Sequence, residues 1–234
     1  PAGRKSPNSP QGDSRTLMTA VLFADLVGYS RKPVASQFAA KDAFRDLLQR
    51  VLAPLSAESR IVLDTGDGAA LGLLGDPEDA LFISLCLRNA MKEGELRIGI
   101  NLGPVKLVND VNGHASMLGD GINAAQRIMG FAKPGQIAVS RSYYDVVSRL
   151  SEEYASLFRH EGARTDKHLR EHDIYLVGDA KQFREIQRAQ DRGGFFAFGD
   201  QHPDRGIGID MADEEAMRDS GLTPLLSISG LHVS

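Results

Sequence analysis

Apolar and polar positions follow two rhythms along this chain. The run TLMTAVLFA over 16–24 is continuously apolar, partly β-branched and of strand length, which predicts a buried central strand. Beyond it, Val34, Phe38, Phe44, Leu47, Leu48, Val51 and Leu52 recur at mostly helical spacing and predict a helix within 33–55. Two short apolar stretches, 60–64 and 69–74, flank Thr65-Gly66-Asp67-Gly68 and predict a β-hairpin. Asp76-Pro77-Glu78 is a helix start, and 80–91 continues with helical periodicity. A second pair of short strands is predicted at 96–102 and 105–108 around Gly103-Pro104, followed by a polar loop at 110–117. A helix at 121–131, a strand at 137–140, a helix at 143–150 and a last strand at 174–177 complete the pattern. Strands alternating with helices, some joined by tight turns, predict a mixed sheet covered by helices, of α/β or α+β class.

Composition sets the boundaries. Residues 1–14 are Pro, Gly, Ser and charge and predict a disordered lead-in. Residues 15–180 carry the domain, and 181–234 read as linker and tail, too poor in apolar residues to form a domain of their own. With 27 basic and 31 acidic residues the net charge is −4, which argues against a surface for nonspecific nucleic-acid or anionic-membrane binding. One cysteine, Cys86, excludes an intrachain disulfide framework and a cysteine-based zinc site, and fits a reducing cytoplasm. No apolar run approaches the roughly 18 residues of a membrane-spanning helix. The lead-in has no signal-peptide core, and without an initiator Met the reading frame is expected to begin upstream. A cytoplasmic location is therefore expected.

The sharpest chemical feature is a pair of carboxylates. Asp25 ends the first apolar strand, and Asp67 sits at the tip of the hairpin. If those strands are neighbours, both carboxylates leave the same sheet edge, where they repel unless a cation lies between them. Hard divalent ions take such oxygen ligands and complete their shell with water and phosphate. The peptides Leu26, Val27, Gly28, Tyr29 and Ser30 follow Asp25, contain a glycine and precede a helix, an arrangement suited to cradling a phosphate. Taken alone, the two acids also read as ordinary strand-end turn residues. Asn123 and Arg127 lie four apart on the predicted helix 121–131 and so share one face. They suit a ligand with ring oxygens and phosphates, or else serve as a cap and a surface ion pair.

In combination these residues resemble the class III nucleotidyl cyclases, the adenylate and guanylate cyclase catalytic domain. Phe23-Ala24-Asp25-Leu26-Val27-Gly28-Tyr29-Ser30 resembles the first metal-binding motif, and Thr65-Gly66-Asp67-Gly68 the second. Leu96-Arg97-Ile98-Gly99-Ile100-Asn101-Leu102-Gly103-Pro104-Val105 resembles the central strand pair. Gly119-Asp120-Gly121-Ile122-Asn123-Ala124-Ala125-Gln126-Arg127 is similar to the helix carrying the transition-state Asn and Arg, and Lys167 falls where a phosphate-binding Lys is placed. The resemblance implies a ferredoxin-like βαββαβ core and a homodimer with active sites between head-to-tail protomers. It implies that Asp25, Asp67 and the backbone of Leu26 hold two Mg²⁺ or Mn²⁺, and that Asn123, Arg127 and Lys167 come from the other chain. The implied substrate is a nucleoside triphosphate, ATP on family frequency, and the implied role is signal transduction.

Two positions depart from the family pattern. Where adenine is usually read by a Lys and by an Asp or Thr, this chain has Leu63 and Ser116. Some bacterial members lacking the usual purine pair act on CTP or UTP in phage defence, and Asp64 and His114 lie close by in sequence as other base readers. A third possibility is a cyclase-like module that binds nucleotide but turns over poorly. The tail is separate. Phe198-Gly199-Asp200, Asp213-Glu214-Glu215-Ala216-Met217-Arg218 and residues 220–233 resemble a stretch of a competence-type DNA-uptake channel protein, which implies a truncated or fused reading frame; the same stretch also reads as a natural C-terminal helix with an apolar end.

Overall fold

The computed structural model describes residues 16–178, apart from 93 and 168. The expected disordered lead-in, the linker and tail, and the DNA-uptake resemblance lie outside the described residues.

The chain opens with strand β1 (Thr16–Leu26), helix α1 (Val34–Leu52), the hairpin of β2 (Arg60–Asp64) and β3 (Gly68–Leu73), helix α2 (Glu78–Ala90) and strand β4 (Leu96–Asn109). These six elements form a βαββαβ unit whose strands lie in the order β2-β3-β1-β4, the ferredoxin-like arrangement. Strand β5 (Ala115–Leu118) turns back on the end of β4, and helix α3 (Asp120–Phe131) follows. Strand β6 (Ile137–Ser140), the short helices α4 (Arg141–Val147) and α5 (Glu152–Ser156), and the hairpin of β7 (Phe158–Thr165) and β8 (Glu171–Val177) extend the sheet to β2-β3-β1-β4-β6-β8-β7. β1 runs antiparallel to both neighbours, whereas β4 and β6 are parallel. The fold is a mixed sheet covered by helices.

Side-chain alternation along β1 divides the core. Ala20, Leu22, Ala24 and Leu26 point into the larger cluster with Phe44, Leu48 and Val51 of α1 and Leu81, Phe82 and Leu85 of α2. Val21 and Phe23 point the other way, against Ala125 and Met129 of α3. Asp25 continues that second series, so its carboxylate emerges on the α3 face. The approach of α3 is set by Gly99, where a Cβ would lie 2.2 Å from the Met129 nitrogen. No larger residue fits there.

Three sequence expectations differ from the structure. The predicted strands 96–102 and 105–108 form one continuous strand of 14 residues, with Pro104 opposite Met18 of β1. On its other side β4 meets β6 over 98–100 and β5 over 106–109, so the stretch around Pro104 is bonded on one side and can lack an N–H on the other. The predicted loop 110–117 is a turn leading into β5, closed by Asp110 Oδ1, which accepts from the amides of Asn112 and His114. β7 and α5 had no apolar signal, because Phe158–Thr165 is a largely exposed strand whose pairing with β8 supplies its order.

The described part closes cleanly after β8. Gly178 N–H donates to Leu157 O at 2.8 Å, and Arg88 Nη2 donates to Gly178 O at 2.9 Å. Among the described residues no helix is long and apolar enough to cross a membrane.

Candidate active site

The two carboxylates are brought together by strand pairing. Asp25 is the register partner of Gly68, the residue after Asp67, and Leu26 N–H donates to Asp67 O at 2.9 Å. A Cβ on Gly68 would lie 1.9 Å from Ala24 O, so glycine is required for the turn to sit this close to β1. Asp25 is buried while Asp67 is exposed. Burial pushes the Asp25 carboxyl above its ordinary value, the Arg97 guanidinium pulls it down, and the neighbouring Asp67 carboxylate pushes it up again.

Arg97 joins the two carboxylates although no local spacing marks it. It is the register partner of Asp25 across β1 and β4, and its Nε donates to Asp25 Oδ2 at 2.6 Å. A cation thus already stands against one carboxylate of the pair. Arg97 stands in the central strand motif, but its partner is 72 residues away. Only the register discloses the contact.

The turn expected to cradle a phosphate is partly committed to the fold. Leu26 N–H donates to Asp67 O and Val27 N–H donates to Glu95 O, both at 2.9 Å, so these two amides are engaged within the chain. Gly28, in the left-handed region at φ 69°, begins a single 3-10 turn over Tyr29–Arg31, and α1 starts beyond it. That leaves the amides of Gly28, Tyr29 and Ser30 as the candidate donors.

Asn123 and Arg127 lie on α3 as expected, Asn123 exposed and Arg127 half-buried. Arg127 Nε is 3.5 Å from Asp166 Oδ2, and its Nη1 is 3.9 Å from Asp120 Oδ1. Asp166 is itself pinned: its Oδ1 accepts from Arg170 N–H at 3.0 Å and its Oδ2 lies 3.1 Å from His172 Nε2. Asp166 therefore aims Arg127, a role invisible in sequence because it depends on the β7–β8 hairpin folding over α3. Lys167, exposed on the turn of that hairpin, lines with Arg127 and Arg97 a cleft of about 440 Å³. Three cations converge there.

The positions expected to read the base carry little polar chemistry. Leu63 of β2 is half-buried against the apolar cluster of Val21, Phe23 and Met117, and Ser116 of β5 pairs with Val108. Asp64 pairs with Lys41 of α1, and His114 is exposed in the turn beside Asp110.

The carboxylate pair fits a hard divalent cation. The Asp67 carboxylate pushes the Asp25 carboxyl up, a repulsion that a cation between them would relieve, and Arg97 meets Asp25 from the neighbouring strand. Among the described residues no group of three or more His, Cys, Asp or Glu side chains is placed to hold a metal ion, so such an ion needs oxygen from backbone, water or phosphate to complete its shell.

No protein-family model matches the chain. A Rhizobium meliloti (strain 1021) protein named "Putative adenylate cyclase 3" is 31% identical over 145 residues, covering 57% of this chain and 24% of that protein. The chain therefore spans about a quarter of that relative's length. Among solved structures, the adenylyl cyclase CyaB from P. aeruginosa superposes with a TM-score of 0.59 at 18% identity, over 71% of this chain and 97% of the other. The guanylate cyclase domain of RhGC from Catenaria anguillulae, solved in complex with GTP, gives 0.57 at 20% identity, over 71% and 99%. The fold is that of the adenylate and guanylate cyclase domains.

Proposed function

We propose that this domain is a class III nucleotidyl cyclase, converting a nucleoside triphosphate to its 3′,5′-cyclic nucleotide and pyrophosphate. The observation that carries the reading is the Asp25–Asp67 pair, locked by the Leu26–Asp67 backbone bond, on a sheet shared with cyclase domains. In the reaction the ribose 3′-oxygen bonds to the α-phosphorus, the bond to the β-phosphate bridging oxygen breaks, and the hydroxyl proton passes to solvent. Two Mg²⁺ or Mn²⁺ held by Asp25, Asp67 and the Leu26 backbone would acidify that hydroxyl and neutralise triphosphate charge. The chain's own part is orientation. Gly28, Tyr29 and Ser30 offer amides to phosphate oxygens, and Asn123 orients the sugar. Arg127, aimed by Asp166, and Lys167 meet charge developing on the α-phosphate and the leaving pyrophosphate.

We place these groups at a homodimer interface, with the carboxylates from one chain and Asn123, Arg127 and Lys167 from its partner. The activity belongs to the cytoplasm, where its substrates are, in a signalling role.

ATP is the favoured substrate, with CTP or UTP in phage defence as the second reading. The latter is favoured by Leu63 and Ser116, which offer no charged group to a purine edge. The test is to incubate the protein with Mn²⁺ and each of ATP, GTP, CTP and UTP, and to identify products by mass spectrometry. A cyclic nucleotide and pyrophosphate in equal amounts from at least one substrate is expected. Nucleotide binding without product from any of the four would instead mark a regulatory module.

A further inference from the structure

Lys41 belongs to none of the motifs above. It lies on α1, and its ammonium reaches across to the hairpin turn that carries Asp67. Nζ is 2.5 Å from Asp64 Oδ1 and also donates to the Gly66 carbonyl. The same Asp64 oxygen accepts from Gly66 N–H at 2.7 Å, so one carboxylate oxygen and one ammonium close both sides of the turn. Gly66 is in the left-handed region at φ 88°, and no atom would lie within 4 Å of a Cβ there, so nothing packs on that side of it. On its far side the turn is tied to β1 by Leu26 N–H to Asp67 O. Asp67 thus sits between a backbone tether and a lysine tether.

We propose that Lys41 is a positioning residue for the metal pair: by bridging Asp64 and Gly66 to α1, it holds the exposed Asp67 turn where its carboxylate meets Asp25. The inference rests on the reading of Asp25 and Asp67 as metal ligands. It also gives Asp64 a role other than base recognition. The Lys41 hydrogen bond keeps the Asp64 carboxyl below its ordinary value.

An ordinary surface ion pair makes a different prediction. Asp64 is 68% exposed, and such pairs add little to stability. If Lys41 acted merely as a nearby positive charge, removing it would tighten cation binding. A tether predicts the opposite sign.

The experiment measures Mn²⁺ binding to the full chain without nucleotide, from the electron paramagnetic resonance signal of free Mn²⁺, alongside thermal midpoints. Lys41→Met should weaken Mn²⁺ affinity about tenfold, the scale at which partners behind metal ligands act, with little change in midpoint. Lys41→Arg should restore most of the loss, Asp64→Asn should reproduce it, and the double variant should add nothing. Unchanged or tighter binding by Lys41→Met overturns the tether. So does Lys41→Met failing to fold while Asp64→Asn folds and binds Mn²⁺ like the wild type. Binding that survives Asp25→Ala overturns the metal reading and the tether with it. Binding that needs Asp25 but ignores Lys41 overturns the tether alone.

Discussion

Arg97 and Asp25 face each other across adjacent antiparallel strands, with Nε 2.6 Å from Oδ2, so the buried carboxylate already has a cation against it. The Arg97 side chain is 38% exposed, against 11% for that of Asp25. The guanidinium can therefore turn towards solvent and the cleft while the carboxylate stays in place. This asymmetry frames what the site should do when its parts are removed.

Asp25→Ala and Asp67→Ala should each lower kcat by at least about 1000-fold, the scale of several kcal/mol of transition-state charge stabilisation. Both should keep a cooperative unfolding transition, because Asp67 is exposed and Arg97 can hydrate once Asp25 is gone. Steady-state kinetics with Mn²⁺ and thermal denaturation check this together. Near wild-type turnover in either variant removes the residue from the site.

Mixing an inactive Asp25→Ala chain with an inactive Asn123→Ala chain should restore activity. At equal amounts half the dimers are hybrid and each hybrid has one intact site, so recovery should approach about a quarter of wild type. Arg127, Lys167 and Arg97 share a cleft within one chain, so the experiment has a real alternative. Hybrid dimers without recovery would place the whole site in a single chain.

Gly99→Ala should destabilise the fold by about 2–3 kcal/mol through overpacking, lowering Tm by roughly 5–10 °C. The added Cβ would lie 2.2 Å from the Met129 backbone nitrogen, and the helix must move to admit it. Because that helix carries Asn123 and Arg127, kcat should fall as well. A variant with wild-type Tm would mean that α3 packs on β4 less tightly than described.

A chain ending at residue 180 should keep Tm and activity nearly unchanged. The final strand is already sealed, with Gly178 bonded to Leu157 and to Arg88. Calorimetry and turnover of the truncated and full chains check the boundary; a loss of several degrees would make residues 181–234 part of the fold.

The fold was legible where burial imposes a rhythm and illegible where pairing alone makes a strand. The 16–24 run announced β1 because its residues pack on both sheet faces, and 137–140 announced β6 for the same reason. FRHEGART of β7 gave no such sign, since its exposed side chains report solvent and its hydrogen bonds report nothing in sequence. The site divides the same way. Asp25 and Asp67 stand at strand and turn ends that the pattern locates, whereas Arg97 on Asp25, Asp166 on Arg127 and Lys41 on Asp64 are meetings between distant segments. Their distances are set by register and by helix placement, which local spacing does not encode.

The backbone of Asp25 belongs to a strand hydrogen-bonded on both sides, while that of Asp67 belongs to a turn held by a few single bonds, among them Leu26 N–H to Asp67 O and Lys41 Nζ to Gly66 O. Amide exchange along β1 should accordingly require global unfolding, whereas the 64–68 turn can open locally. The two halves of the proposed cation site thus differ in how readily thermal motion disturbs them. Anything that tunes occupancy without unfolding the protein has to act through the turn, because the strand has no small excursion to give.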